Sequence, residues 1–133
     1  MSYKRRVAKK NNFGNFVSTL SSWQVIPGSE VTIQKDSESD VLISTNFSYN
    51  RTGGVNGQYS INYEINGGVY ATESNGLIRV SERLERKAVT GAPILITQNR
   101  STTFTVKVLI CVHTASVTVI ASDPAMMINV IEL

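Results

Sequence analysis

The single cysteine and the single histidine of the chain lie two residues apart, at Cys111 and His113. Alternate residues of a β-strand project from the same face, so a strand here would bring a thiol and an imidazole side by side. Such a pair is the starting point for nucleophilic catalysis through a thiolate. The sequence offers no identifiable third residue to orient it, and one Cys with one His cannot fill a structural zinc site. We therefore predict no catalytic residues, no zinc site and no enzyme.

Carboxylates cluster in the polar segment Lys35–Asp40, where Asp36, Glu38 and Asp40 alternate with other residues. Carboxylate oxygens at close spacing are the ligands that calcium prefers. The segment lacks the full run of ligands that a dedicated calcium loop has, so a solvated turn is the favoured interpretation and a calcium loop the alternative. No glycine-rich phosphate-binding motif accompanies it. We predict no cofactor and no bound metal.

The strongest functional signal is a cluster of positive charge in the first ten residues, at Lys4, Arg5, Arg6, Lys9 and Lys10. The other eight basic residues are outnumbered by ten acidic ones, so the chain from Asn11 onward is slightly negative. A basic arm of this kind neutralises phosphates without reading bases. Two alternatives stay open: a tail that aids solubility, or an anchor on an anionic membrane. The membrane alternative would use the helical-period stripe formed by Phe13, Phe16, Val17 and Leu20.

The elements that position these residues are predicted to be short β-strands. Apolar and polar residues alternate over Val41–Tyr49 and again over Tyr59–Ile65, which is typical of strands with one buried face. Asn66-Gly67-Gly68 supplies the turn residues of a tight hairpin. About eight or nine strands follow one another without a helix of normal length, so we predict an all-β, antiparallel jelly-roll sandwich of about eight strands with a flexible basic N-terminal arm.

Length and composition are those of one soluble globular domain. The chain has 133 residues, 41% of them apolar, which suffices to bury a core without disulfides. No apolar run reaches the length of about 18 residues that a membrane span needs, and no signal peptide is recognisable. We expect a basic arm over residues 1–12, a connecting segment over residues 13–22 and one domain over residues 23–133.

Two strands near the C-terminus carry apolar residues on both faces. Within Phe104–His113 the even positions form a continuous apolar face, which we assign to the core, yet Leu109 and Cys111 lie on the other face. In Met126–Leu133 both faces are apolar. Because a sandwich covers one face of each sheet, the second face predicts a homo-oligomer interface. Its expected residues are Leu109, Cys111, Met127, Ile131 and Leu133. The alternative is that the chain's own segment Phe13–Leu20 lies across such a strand.

From Trp23 onward the order of strands and turns resembles trimeric jelly-roll domains of the complement and tumour-necrosis-factor type, found in phage and bacterial surface proteins. The residues that carry this resemblance are Ile26–Val31, Asp40–Ile43, Thr103–Val108, Ala115–Val119 and Ile128–Leu133. The pattern is equally similar to small viral jelly-roll capsid proteins. The resemblance implies a subunit that assembles around a symmetry axis, often as a trimer, and it implies no catalytic residues.

These features predict a non-enzymatic structural protein of a virion, from a bacterial virus: a small capsid, vertex, spike or head-decoration subunit. It is expected to form a homo-oligomer, with a trimer favoured, and to anchor through its basic arm. The partner of the arm is left open among other capsid proteins, nucleic acid and an anionic membrane surface. The alternative is a trimeric receptor- or glycan-binding adhesive module, whose contact loops would be Arg51–Gln58 and Val69–Gly76.

Overall fold

The computed structural model of this chain contains strands and turns, and no helix, over the residues that it describes. These residues are 5–11, 16–18, 21–52, 57–71, 78–82, 86–89, 93–114, 116–120 and 126–133. The strands among them are antiparallel and form one seven-stranded and one six-stranded sheet. The predicted all-β, antiparallel jelly-roll sandwich is therefore confirmed.

Nine of the thirteen described strands have four or more residues, which matches the expected number. The strands are β1 (Arg5–Asn11), β2 (Phe16–Ser18), β3 (Gln24–Val25), β4 (Val31–Gln34), β5 (Val41–Thr52), β6 (Gly57–Ile65), β7 (Gly68–Val69), β8 (Ile78–Glu82), β9 (Arg86–Val89), β10 (Ile94–Ile96), β11 (Thr103–Thr114), β12 (Ser116–Ile120) and β13 (Met126–Glu132).

The seven-stranded sheet is organised around the long strand β5. Its first half pairs with β13 and β10, and its second half pairs with β12 and β9. The strand β2 extends the sheet beyond β12. The strand β1 extends it beyond β13, with Arg5 opposite Glu132 and Asn11 opposite Met126.

The sequence predicts a flexible N-terminal arm; in the structure its segment Arg5–Asn11 is a strand that pairs with β13. The physical reason is that an edge strand such as β13 presents a row of backbone N–H and C=O groups that another strand can satisfy. Charged side chains do not prevent such pairing at an edge. The segment is therefore held against the domain by its backbone.

The six-stranded sheet is organised around the long strand β11. On one side β11 pairs with β4 and β3, and on the other side it pairs with β6. Both β8 and β7 pair with the other edge of β6, β8 with its first half and β7 with its last two residues. The strand β7 follows β6 through the Asn66-Gly67 turn. Both turn residues have positive φ, as the Asn-Gly pair in the sequence predicts.

The core lies between the two sheets and consists of aliphatic and aromatic side chains in strict alternation along the strands. The even residues of β11 contribute one row, which confirms the prediction for this face. The odd residues of β6 contribute Tyr59, Ile61 and Tyr63, all nearly inaccessible to solvent. The opposing sheet supplies the buried residues of β5, β10 and β13, namely Val41, Ile43, Ile94, Ile96, Ile128 and Val130.

A buried lysine ties two loops together at one end of the sandwich. Lys35 is 3% exposed, and its Nζ donates to the backbone oxygens of Asp36 at 3.0 Å, Ser39 at 3.2 Å and Asn99 at 2.6 Å. Three acceptors match the three protons of an ammonium group. The loop between β4 and β5 is thereby fixed to the loop between β10 and β11.

Candidate functional site

The thiol of Cys111 is buried within the single chain. Its side chain is 5% exposed, and Sγ lies 3.2 Å from the backbone oxygen of Ser21. Burial raises the pKa of the thiol above its ordinary value because a charged thiolate is less well solvated there. The group is thus a protonated donor to a carbonyl, whereas an activated nucleophile needs a lowered pKa.

The imidazole of His113 is half-buried and has a hydroxyl as its described partner. Its Nε2 lies 2.8 Å from the Oγ of Ser60 on the neighbouring strand β6. A hydroxyl can donate to or accept from an imidazole, so this contact orients the ring in either tautomer. The two residues that could have formed a nucleophile and its base therefore contact different parts of the chain, Ser21 and Ser60.

The outward-facing apolar residues of β11 are covered by the chain itself. Leu109 is 2% exposed, on the same strand face as Cys111. The strand β2 contacts β11, and after it the carbonyl of Ser21 reaches Cys111. A hydrogen bond of 2.9 Å between Ser18 Oγ and Gln24 Oε1 closes the segment between β2 and β3.

Leu109 and Cys111 are therefore unavailable at the surface of the single chain, although both are predicted interface residues. The physical reason is that a second apolar face needs a cover, and here the same chain supplies it without the entropy cost of association. The alternative, in which Phe13–Leu20 lies across such a strand, stays a prediction, because the described bond to Cys111 comes from Ser21. Of that segment, Phe13 and Leu20 lie outside the described residues, whereas Phe16–Ser18 is the strand β2.

The outward-facing residues of β13 are less covered. Met127 and Ile131 are half-buried and Leu133 is exposed in the single chain. Ile131 lies opposite Leu42 of β5, and Leu42 lies opposite Leu95 of β10, which is 51% exposed. Cross-strand partners share a face, so Leu42, Leu95 and Ile131 form one apolar row. Met127 lies four residues before Ile131 on the same face of β13, opposite Asn46. These four residues are here called the outer patch.

For the basic residues expected to make arm contacts, the structure describes the backbone of β1 and its pairing. Arg5, Arg6, Lys9 and Lys10 belong to β1, next to β13. Arg6 lies opposite Ile131 and Lys10 opposite Met127 in the pairing register. Lys4 and the side chains of the other four lie outside what the structure describes. The charged strand thus lies beside the strand that carries part of the outer patch.

The acidic segment between β4 and β5 is a turn whose groups bond within the protein. Glu38 forms an ion pair with Arg100 at the surface. The backbone N–H of Asp36 donates to Oε2 of the buried Glu132 at 2.8 Å. Within the described part of the chain, no group of three or more His, Cys, Asp or Glu side chains could hold a metal ion. The observed bonds are those of a structural turn.

An open groove between the two sheets has no counterpart in the sequence analysis. It lies between the β6–β7 hairpin and the end of β10 and has a volume of about 440 Å³. Its walls are four residues from each side, Ile65, Gly68, Val69 and Tyr70 facing Leu95, Ile96, Thr97 and Asn99. Three of the exposed large apolar residues, Val69, Tyr70 and Leu95, belong to these walls. The sequence gives only a weak indication of this groove, because its two walls come from segments about 30 residues apart.

No protein-family model and no curated protein matches the sequence. Among solved structures, the VP2 subviral particle of infectious bursal disease virus is 12% identical with a TM-score of 0.42, covering 98% of this chain and 38% of that one. The Eiger TNF of S. frugiperda is 8% identical with a TM-score of 0.43, covering 98% and 94%. A β-glucosidase of Paenibacillus barengoltzii is 10% identical with a TM-score of 0.35, covering 74% and 10%.

The chain spans only a tenth of the β-glucosidase and about two fifths of VP2. At these identities and scores the likenesses carry no argument about function. In the described residues no helix is long and apolar enough to cross a membrane.

Proposed function

We propose that this protein is a non-enzymatic structural subunit of a virion that assembles as a homo-oligomer, with a trimer as the favoured form. The observation that carries the proposal is the outer patch on the seven-stranded sheet. A sheet of a sandwich usually presents a polar face to water. Here Leu42, Leu95 and Ile131 lie side by side on three neighbouring strands. A continuous apolar surface of this kind is typical of a protein contact.

The basic strand supports an anchoring role next to that contact. Because β1 pairs with β13, two of its basic residues, Arg6 and Lys10, are placed opposite Ile131 and Met127 of the outer patch. An acidic surface on a neighbouring shell protein, a nucleic acid or an anionic membrane would be attracted to it. We favour a shell protein as the partner, because the same side of the domain then serves assembly and anchoring together.

The assembly proposal is tested by placing a charge on the outer patch. Ile131→Asp should convert the oligomer into monomers, because an unpaired carboxylate would be desolvated in the contact. Met127→Asp is a second variant on the same face. Val25→Asp is the matched control, because Val25 is an exposed apolar residue of the other sheet. The measurement is molar mass by size-exclusion chromatography with light scattering, with circular dichroism to confirm that each variant is folded.

A monomeric wild-type protein at micromolar concentration would contradict the assembly proposal. An unchanged oligomer mass in both Ile131→Asp and Met127→Asp would contradict the assignment of the outer patch.

The anchoring proposal needs a variant that removes charge and keeps the strand. Deleting residues 1–12 would also remove β1 and expose the edge of β13, so it tests two things at once. Replacing Lys4, Arg5, Arg6, Lys9 and Lys10 by Gln keeps the backbone pairing. This variant should still form the oligomer but lose binding to an acidic partner. In the wild type that binding should weaken as salt rises, with a modest slope because at most five charges take part. Salt-independent binding would contradict the electrostatic anchor.

A trimeric receptor- or glycan-binding module is the second candidate. Of its two expected contact loops, residues 53–56 and 72–76 lie outside the described residues. The observation that favours it is the groove, which begins at the described part of the second loop, at Val69 and Tyr70.

A further inference from the structure

We propose that the groove between the β6–β7 hairpin and the end of β10 is a binding site for a neutral saccharide of one or two sugar rings. This inference rests on the second candidate function above, for which it names the site and the class of ligand, and it is independent of the structural role. The groove and the outer patch have only Leu95 in common. A variant can therefore lose saccharide binding and keep its oligomer, or lose its oligomer and keep saccharide binding.

One wall of the groove is fixed by a buried amide. Asn62 is fully buried on β6, and its Nδ2 donates to the backbone oxygen of Ala71 at 2.8 Å. Its Oδ1 accepts the backbone N–H of Ala71 at 3.0 Å. The backbone N–H of Tyr70 donates to the oxygen of Tyr63 at 2.8 Å. These bonds fix the backbone at Tyr70 and Ala71. Less conformational entropy is therefore lost when a ligand packs on the Tyr70 ring.

The other wall is fixed by the buried lysine. Lys35 donates to the backbone oxygen of Asn99 at 2.6 Å, and Oδ1 of Asn99 accepts the backbone N–H of Ser101 at 3.0 Å. With its oxygen engaged, the carboxamide offers its two N–H bonds as donors. Between Thr97 and Asn99, Gln98 has a φ of 58°, a left-handed conformation that is uncommon for a residue with a side chain and tends to occur at binding sites.

The chemistry of the walls selects the class of ligand. None of the eight lining residues carries a formal charge, so an ionic ligand would lose its hydration without a counter-charge. Tyr70 is 42% exposed and presents aromatic surface, while Thr97 and Asn99 provide neutral hydrogen-bonding groups. A sugar ring has an apolar C–H face that packs on an aromatic ring and hydroxyls that bond to amides and hydroxyls. The groove volume of about 440 Å³ lies within the usual range of small-molecule sites.

The test is saturation-transfer-difference NMR on the full chain. The probes are neutral mono- to tetrasaccharides of glucose, galactose, mannose and N-acetylglucosamine at millimolar concentration. We expect at least one to bind the wild type, with Tyr70→Ala lowering its affinity by about tenfold. Tyr70→Phe keeps the ring and should bind within about threefold of the wild type, and Thr97→Val should lose about threefold through its hydroxyl. Val25→Ala is the control outside the groove and should bind unchanged.

Three results would overturn the proposal. The first is that no probe binds to the folded wild type, and the second is that Tyr70→Ala binds saccharide as tightly as the wild type does. The third is a lower oligomer mass in Tyr70→Ala, which would assign the groove to a second copy of the chain. Loss of assembly in Ile131→Asp with saccharide binding retained would support the site and the outer patch as separate features.

Discussion

The outward faces of β11 and β13 look alike in the sequence and differ in the folded chain. Both place apolar side chains where a sandwich usually presents polar ones. On β11 the chain itself buries Leu109 and Cys111, and the backbone oxygen of Ser21 contacts Cys111. On β13 the corresponding residues stay partly accessible, and Leu95 beside them is the most exposed large apolar residue described. An apolar face thus calls for a cover, but its sequence does not specify whether the same chain or another supplies it.

The largest expected effect separates the two faces by their contribution to stability. Leu109→Ala should lower the free energy of unfolding by about 2–5 kcal/mol, because it leaves a cavity under the covering segment. Ile131→Ala should cost only about 1 kcal/mol in the monomer, because its side chain is already partly in water. Chemical denaturation followed by circular dichroism measures both. Similar losses for the two variants would remove the distinction between a covered and an open face.

The next effect concerns ionisation of the covered face. Burial raises the pKa of Cys111, so above about pH 9 the unfolded chain loses this proton before the native chain does. Native stability should therefore fall as the pH rises above 9, by up to about 1.4 kcal/mol per pH unit for one group. Tyr63, whose pKa is also raised by burial, acts in the same direction once the unfolded chain passes pH 10.

Chemical denaturation at pH 7 and at pH 10 measures this loss, and the matched control is Cys111→Ala, which should lose less stability over that interval. A cysteine placed at the open position, in Ile131→Cys combined with Cys111→Ala, should titrate near the ordinary value. Equal pH dependence of alkylation at positions 111 and 131 would contradict the difference in environment.

A smaller effect should follow from loosening the cover. Ser18→Ala removes the hydrogen bond to Gln24 and should lower the free energy of unfolding by about 1 kcal/mol. The covering segment should open more often, so alkylation of Cys111 at constant pH should become faster. A faster reaction with unchanged global stability would show that the cover opens locally. An unchanged reaction rate would mean that this bond does not hold the cover in place.

The smallest effect is expected at the exposed end of the same β11 face. Lys107 forms ion pairs with Glu30 at 3.6 Å and Glu64 at 3.8 Å. Surface pairs of this kind contribute little, so Lys107→Met should change the free energy of unfolding by about 0.5 kcal/mol or less, and less again at high salt. A loss comparable to that of Leu109→Ala would show that the cover depends on this charge.

Local periodicity predicted the fold class and much of the core. The even residues of β11 and the odd residues of β6 alternate so regularly that their buried faces follow from the sequence. The Asn66-Gly67 turn was predictable for the same reason, because its positive φ angles require such residues.

Features that depend on distant pairings were not predictable. Nothing in the basic composition of Arg5–Asn11 indicates that it pairs with β13, because that pairing is decided by an available edge more than 100 residues later. The stripe from Phe13 to Leu20 allowed a helix, and its described part is a strand paired with β12. The groove likewise arises only when β7 and β10 come together.

The pairing of β1 with β13 also sets an order of events during synthesis. In a growing chain the basic segment is made more than 100 residues before its partner strand, so β1 has no β13 to join until those residues have been added. Pairings this distant in sequence form slowly. In the interval, a cationic segment with unsatisfied backbone groups is open to other polyanions and other edges. Pairing of β1 with β13 should therefore be a late folding step, after which this segment no longer binds other polyanions or other strand edges.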